Sequence, residues 1–167
     1  GIITAPGVNG HTAERDQRLA YDPELSKKLL AEAGYPDGFE LTLDCPNDRY
    51  INDEAICVAA IGMFAKIGVT VNLDAKTKSQ HFSEVKEGDA NGMTSDMYML
   101  GWGVPTFDSH YVYSYLFESS GSWNKVNFSN ARVDELVASM GVETNLDKRN
   151  AMIAEAWDIT QDDVTYL

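Results

Sequence analysis

The sequence is poor in positive charge, cysteine and long apolar runs, and each shortage excludes something. Only 13 Lys and Arg stand against 26 Asp and Glu, a formal net charge of −13 over 167 residues. A surface of that sign repels phosphate, which excludes nucleic acid as the main partner. No uninterrupted apolar run approaches the ~20 residues that a bilayer-spanning helix needs. Gly1 opens no signal-peptide pattern, and the chain reads as a soluble acidic domain missing its natural start. Two cysteines, Cys45 and Cys57, are too few for a disulfide-built scaffold or a cysteine-rich zinc site. They read either as a bridge closing a polar loop or as two small buried hydrophobes, and the sequence leaves both readings standing.

Catalytic and cofactor signatures are equally scarce. There is no GxSxG elbow and no HExxH pair. Gly101-Trp102-Gly103 lacks the third glycine of a dinucleotide loop, and no P-loop lysine follows. Asp108-Ser109-His110 sets a carboxylate and an imidazole two positions apart, where a helix would point them in different directions. Two such groups do not make a metal site. No metal and no cofactor are therefore expected. A small hydrolase using Asp108 and His110 is the enzymatic alternative, and a free-standing interaction module is another.

What remains is the material of a folded domain: 44% hydrophobic, 10% aromatic and 23% charged residues. Residues 1–20 carry Gly, Pro and mixed charge without a period and read as an irregular lead-in. Asp22 and Pro23 then open a helix with an apolar stripe of Leu25, Leu29, Leu30 and Ala33, and a Glu24–Lys28 pair on its outer face. Gly34 and Pro36 end it. Phe39–Cys45 alternates like a strand. A helix follows over Ile51–Ile67, with Ile51, Ala55, Val58, Ala59, Met63 and Ile67 among its apolar positions. A strand over Val69–Leu73, a short helix over Ser79–Lys86, a hairpin-like stretch Glu87–Ser95 and a strand over Asp96–Trp102 come next. Strands alternating with helices predict an α/β fold, a mixed sheet with flanking helices. Beyond a tyrosine-rich stretch, Phe107–Phe117, helices are expected over Ala131–Met140 and Leu146–Thr160, capped by Asn130 and Asn145. The closing VTYL reads as the start of a strand.

Two segments carry binding chemistry. A tryptophan between two glycines stands at the C-terminal end of a strand, where open α/β sheets place ligands. Trp102 is there either a rigid binding wall or a core side chain. Asn47-Asp48-Arg49-Tyr50 follows the first strand and faces the same edge. Arg49 has the geometry to pair a ligand carboxylate, or to sit in solvent or an internal ion pair.

The stretch YDPELSKKLLAEAGYPDGFELTL, residues 21–43, resembles the bacterial family 5 extracellular solute-binding proteins, the peptide- and nickel-type receptors of ABC importers. The resemblance continues in order through FAKIGVTVNL (64–73), DMYMLGWG (96–103), the Asp108 region, FSNARVDELV (128–137) and AEAWDITQDDVTYL (154–167). It implies that residues 21–167 are one lobe of a longer two-lobed, periplasmic-binding-protein-like receptor. Such a receptor closes on a peptide or related small solute and delivers it to a membrane permease. It implies no catalysis, a periplasmic or extracytoplasmic location and an absent N-terminal lobe as partner. An oxidising location also favours the Cys45–Cys57 bridge. Carried over by position, Trp102, Gly103 and Val104 line the cleft, Asp108 matches an acidic position, and Arg49, Tyr50 and Asn52 border the ligand. Some peptide-binding members have an acidic residue three positions after this Trp. Pro105 stands there instead, without charge or N–H, which departs from a conventional amino-terminus clamp and favours a ligand without a free α-amine, such as a modified peptide or a sugar-like solute.

Overall fold

The computed structural model describes residues 1–87 and 95–166, arranged in two compact units. One unit is Ala20–Gly101; the other joins Gly1–Leu19 to the chain from Trp102 onward. The expected hairpin-like stretch Glu87–Ser95 lies mostly outside the described residues.

The Ala20–Gly101 unit runs α1 (Pro23–Glu32), β1 (Glu40–Pro46), α2 (Asp53–Ala65), β2 (Thr70–Lys76), α3 (Lys78–Glu87) and β3 (Met97–Tyr98). The strands are ordered β2-β1-β3 and all parallel, with Leu43 opposite both Leu73 and Met97. This is the α/β arrangement that alternating strands and helices predict, but the described strands are parallel throughout and not mixed, as crossover connections through helices require. The core gathers Leu43, Cys45, Cys57, Val69 and Val71, flanked by Phe39, Phe64 and Met99. β1 departs from simple alternation: Leu43, Asp44, Cys45 and Pro46 are all buried. A central parallel strand is covered on both faces, so period two fades there.

Local signals explain the helix ends. The Asp22 side chain accepts the Leu25 N–H at 2.9 Å. Gly34 and Gly68 take φ values of +96° and +86° just past the ends of α1 and α2, in the left-handed region that glycine enters freely. Gly38 is required for a closer reason, since a Cβ there would meet the Gly68 carbonyl oxygen at 1.9 Å.

Several helix details differ from the sequence pattern. Glu24 pairs with Lys27 at 2.9 Å, and Lys28 with Glu32, replacing the expected Glu24–Lys28 pair. Both alternatives lie on neighbouring turns of the same exposed face. In α1 only Leu30 of the leucines packs on the core, while Leu25 and Leu29 stay about half exposed. In α2 the packed face is Cys57, Ile61 and Phe64, and Val58 and Met63 are half exposed. The strand expected over Asp96–Trp102 is reduced to Met97–Tyr98, which pair with Leu43 and Asp44. Val164 turns left-handed at φ +50° after α6, and residues 165–166 form no strand.

The other unit holds α4 (His110–Val112), continuing as a π-helical turn over Tyr113–Phe117, then α5 (Ala131–Met140) and α6 (Leu146–Asp163). Asn130 accepts from Arg132 and Val133 N–H, and Asn145 from Lys148 N–H, so both cap as their positions suggest. The core is aromatic. Trp157 packs on Tyr113 at 4.8 Å between ring centroids, and Phe117 packs edge-on against Phe128 at 5.5 Å. Burial pushes the Tyr113 phenol far above its ordinary value. Residues 1–19 contain neither helix nor strand. Asn9 ties them down by a bridge to Asp108, and Arg15 by a two-pronged ion pair with Asp158.

No helix among the described residues is long and apolar enough to cross a membrane.

Candidate functional site

In the Ala20–Gly101 unit, the loop after β1 is organised by one carboxylate. Asp53 is buried and accepts the N–H groups of Arg49, Tyr50 and Glu54 at 2.8–2.9 Å. These donors, Tyr50 foremost, hold its carboxyl below the ordinary aspartate range. Asn52 precedes it in the left-handed region, at φ +59°, and its side chain caps nothing.

That loop presents Arg49. Its guanidinium lies 4.8 Å from the Tyr50 ring centroid and 5.9 Å from that of Phe82 on α3. Among the described residues it makes no hydrogen bond or ion pair. The groove beside it, about 520 Å³, is lined by Arg49, Lys78, Phe82, Ser83, Lys86 and Glu87. The Lys78 ammonium is also without an ion pair among the described residues, and Ser83 donates to Glu87 at 2.8 Å. Local positive charge gathers here in a strongly acidic chain.

Tyr50 has a different task. Its hydroxyl accepts the Gly101 N–H at 2.9 Å, and a Cβ on residue 101 would meet the Tyr50 ring at 2.7 Å. Glycine at 101 is thus required by the close approach of a ring to the backbone. The neighbouring Met99 N–H donates to the Asp44 carbonyl at 2.9 Å. Beneath this strand end, Cys45 and Cys57 form a disulfide.

In the other unit, Trp102 belongs to a cluster of four rings. Tyr111, Trp123 and Tyr115 lie 5.8, 5.9 and 6.0 Å from it, and Tyr111 and Tyr115 meet at a tilt, 4.6 Å between centroids. The Trp102 indole nitrogen is buried without a hydrogen-bond partner among the described residues. Beside it, Gly103 is open, with no atom within 4 Å of where a Cβ would stand. Val104 accepts the Phe107 N–H, and Phe107 is held exposed at φ +54°, an unusual conformation for an aromatic residue.

Asp108 is fully engaged. The Arg149 guanidinium grips both its oxygens, Asn9 donates at 3.0 Å and the His110 N–H at 2.9 Å. Burial raises its carboxyl, but these donors win and hold it below the ordinary 3.8. His110 turns its ring nitrogen to the Val137 carbonyl at 3.2 Å. Asp108 and His110 therefore serve different partners and do not converge as the hydrolase reading requires. No group of three His, Cys, Asp or Glu among the described residues is placed to hold a metal.

A carboxyl depressed on folding contributes stability above its unfolded value, and that contribution is lost as pH falls through the folded value. Unfolding free energy is thus expected to drop between neutral pH and about pH 3. Arg149→Met should shrink the drop by removing the main ion that holds Asp108 charged. Denaturant unfolding of both proteins at the two pH values checks this; equal acid losses would refute it.

The sequence singles out Arg49, Tyr50, Asn52, Trp102, Gly103, Val104 and Asp108 as candidates, and the structure divides them between its two units. It does not single out Arg149, Asn9, Lys78 or Trp123. Tyr111 and Tyr115 were readable as an i,i+4 pair in the tyrosine-rich stretch.

Residues 2–124 match the model of the bacterial extracellular solute-binding proteins, family 5 middle region. The chain is 28% identical over 151 residues to the glutathione-binding protein GsiB of Salmonella typhimurium, covering 88% of this chain and 29% of that protein. It is 32% identical over 156 residues to heme-binding protein A of Haemophilus influenzae, covering 90% and 28%. The structure of the periplasmic binding protein DppA from Helicobacter pylori, in complex with the peptide STSA, superposes with a TM-score of 0.81 at 21% identity. That match covers 98% of this chain and 31% of that one. HbpA2 from Haemophilus parasuis also gives a TM-score of 0.81, at 22% identity, over 95% of this chain and 31% of that one. Such identities carry the fold alone. The chain spans less than a third of the length of these curated relatives.

Proposed function

The chain belongs to family 5 of the bacterial extracellular solute-binding proteins, and from that membership we propose that it is a ligand-gripping lobe of a longer ABC-importer receptor. Residues 21–167 make the lobe and residues 1–20 lead into it. The full receptor works outside the cytoplasm, closes a second lobe over the solute to exclude water, and hands it to a membrane permease. No catalytic step is part of this reading.

The solute is a peptide or related small molecule bearing an acidic group. The observation that carries this is Arg49: a guanidinium stacked against two aromatic rings, its N–H donors unspent among the described residues, beside a Lys78 without an ion pair among them. Stacking fixes the fork before the ligand arrives, which lowers the ordering cost of a bidentate carboxylate contact. Tyr50 holds the strand end, and Asn52 borders the same loop. Within the other unit, Trp102, Gly103 and Val104 are separate candidates, offering an aromatic wall and accessible backbone. Asp108, already neutralised by Arg149, anchors that segment rather than clamping an amine, in keeping with Pro105 where some peptide binders carry an acid.

Glutathione is a suitable anionic probe, with a fully amidated tripeptide as control. Titrated into the isotopically labelled chain, glutathione is expected to shift the Arg49 side-chain and Tyr50–Asp53 amide signals. Binding should be weak, since only part of the cleft is present. Arg49→Gln should weaken it by roughly tenfold, the scale of one charge-assisted pair. Equal binding of the amidated control would overturn the acidic preference. Anionic peptides that shift only other regions would overturn the assignment.

A further inference from the structure

His81 on α3 is fully buried, and both of its ring nitrogens face oxygen acceptors. Nδ1 lies 2.8 Å from Asp44 Oδ1, and Nε2 lies 3.0 Å from the Met99 carbonyl. A neutral imidazole has one N–H and one lone pair, so it satisfies one of these oxygens and sets its lone pair against the other. Only the doubly protonated ring donates to both. We infer that His81 works as an imidazolium and is a positioning residue, clamping the Met99 carbonyl so that the strand end leading to Gly101 is held through a proton.

The surroundings favour that charge. Asp44 comes from β1, Lys76 and Asp74 from β2, and Glu84 from α3 itself. The Lys76 ammonium lies 3.5 Å from the second Asp44 oxygen and 2.7 Å from Asp74, and also pairs with Glu84. Three carboxylates thus face a single ammonium, and an imidazolium supplies the second cation. Lys76 opposes it by like-charge repulsion, but the Asp44 carboxylate stands between them. The Phe82 ring packs edge-on against the imidazole, 5.1 Å between centroids.

The consequence is local. Met99 is held at both ends of its peptide groups, its N–H by the Asp44 carbonyl and its carbonyl by His81, while Tyr50 fixes the Gly101 N–H. When the imidazole gives up a proton, one of its two bonds is lost and the repulsion between the freed lone pair and its oxygen loosens that corner. Its bearing on ligand affinity rests on the reading of this edge as the solute site; the protonation and the clamp do not.

Two measurements on the intact chain test the clamp. Long-range nitrogen–proton spectra, with His81→Gln to assign the ring, should show both His81 nitrogens protonated at neutral pH. A neutral tautomer there would overturn the inference. Amide exchange should then show Met99 protection, taken relative to Leu43, falling roughly tenfold or more at the pH where the ring loses a proton, as expected for losing a hydrogen bond to a charged group. His81→Phe should have low Met99 protection at every pH. Protection that ignores the ring's protonation in the native chain would overturn the positioning role, even if His81→Phe failed to fold. Neither readout needs a solute, so failure here is distinct from failure of the solute-binding reading.

Discussion

Asp44→Ala is expected to lower the unfolding free energy of the Ala20–Gly101 unit by roughly 3–5 kcal/mol, the range for removing one partner of a buried ion network. Asp44 is completely buried on β1 and faces His81 and Lys76. Its loss leaves an imidazolium with an unused N–H in the interior and deprives Lys76 of one of three carboxylates. Lys76, held far above its ordinary value by those carboxylates against the cost of burial, keeps Asp74 and Glu84 and so stays charged. Among the described residues His81 pairs with no other acid, so it bears most of the penalty. Asp44→Asn should cost less, because its amide oxygen still accepts from His81. Pairing Asp44→Ala with His81→Phe should cost less than the sum of the two single changes, by roughly 0.5–3 kcal/mol for groups in one network. Denaturant unfolding of the four proteins decides the matter. Strict additivity would mean that the two side chains do not act as a pair.

The sequence made some of this legible and concealed the rest for identifiable reasons. Helix ends were readable because their causes are local: Asp22, Asn130 and Asn145 cap through their own side chains, and Gly34 takes a conformation that few other residues tolerate. The packed face of α2 was not, because Ala55–Ala65 is apolar or small at every position and offers no period to follow. The β1 pattern fails at Asp44, whose burial depends on partners 32 and 37 residues away. A charge in the middle of a strand otherwise reads as solvent-facing. The expected long strand ending at Trp102 is shorter, and Gly101 gives its N–H to the Tyr50 hydroxyl instead of a ladder partner. Trp102 and Arg49 stand out as candidates by chemistry and position, whereas Arg149, 41 residues beyond Asp108, has no local signature. What a pattern of neighbours decides can be read from the chain; what one distant side chain decides cannot.

Reduction of the Cys45–Cys57 disulfide is expected to remove about 3 kcal/mol from the same unit, the loop-entropy value for a closed segment of this size. The bridge links the buried end of β1 to the second turn of α2 across a separation of 12 residues, and the closed loop contains Arg49, Tyr50, Asn52 and Asp53. Its two effects are separable. In the unfolded chain the bridge limits the loop's freedom, which sets the stability term. In the folded chain Asp53 already gathers the loop by three hydrogen bonds, so reduction alone should leave the Arg49–Tyr50 conformation in place. Both sulfurs are buried, so replacing Cys45 and Cys57 by Ala adds a packing loss that reduction does not. The double variant should therefore be less stable than the reduced protein. Denaturant unfolding of the oxidised, reduced and double-variant chains, with amide exchange at Tyr50, separates these contributions. A reduced protein with unchanged stability would show that the folded chain gains nothing from the bridge. Reduced stability with lost Tyr50 protection would show that Asp53 cannot hold the loop alone, making the oxidised state a requirement for presenting Arg49.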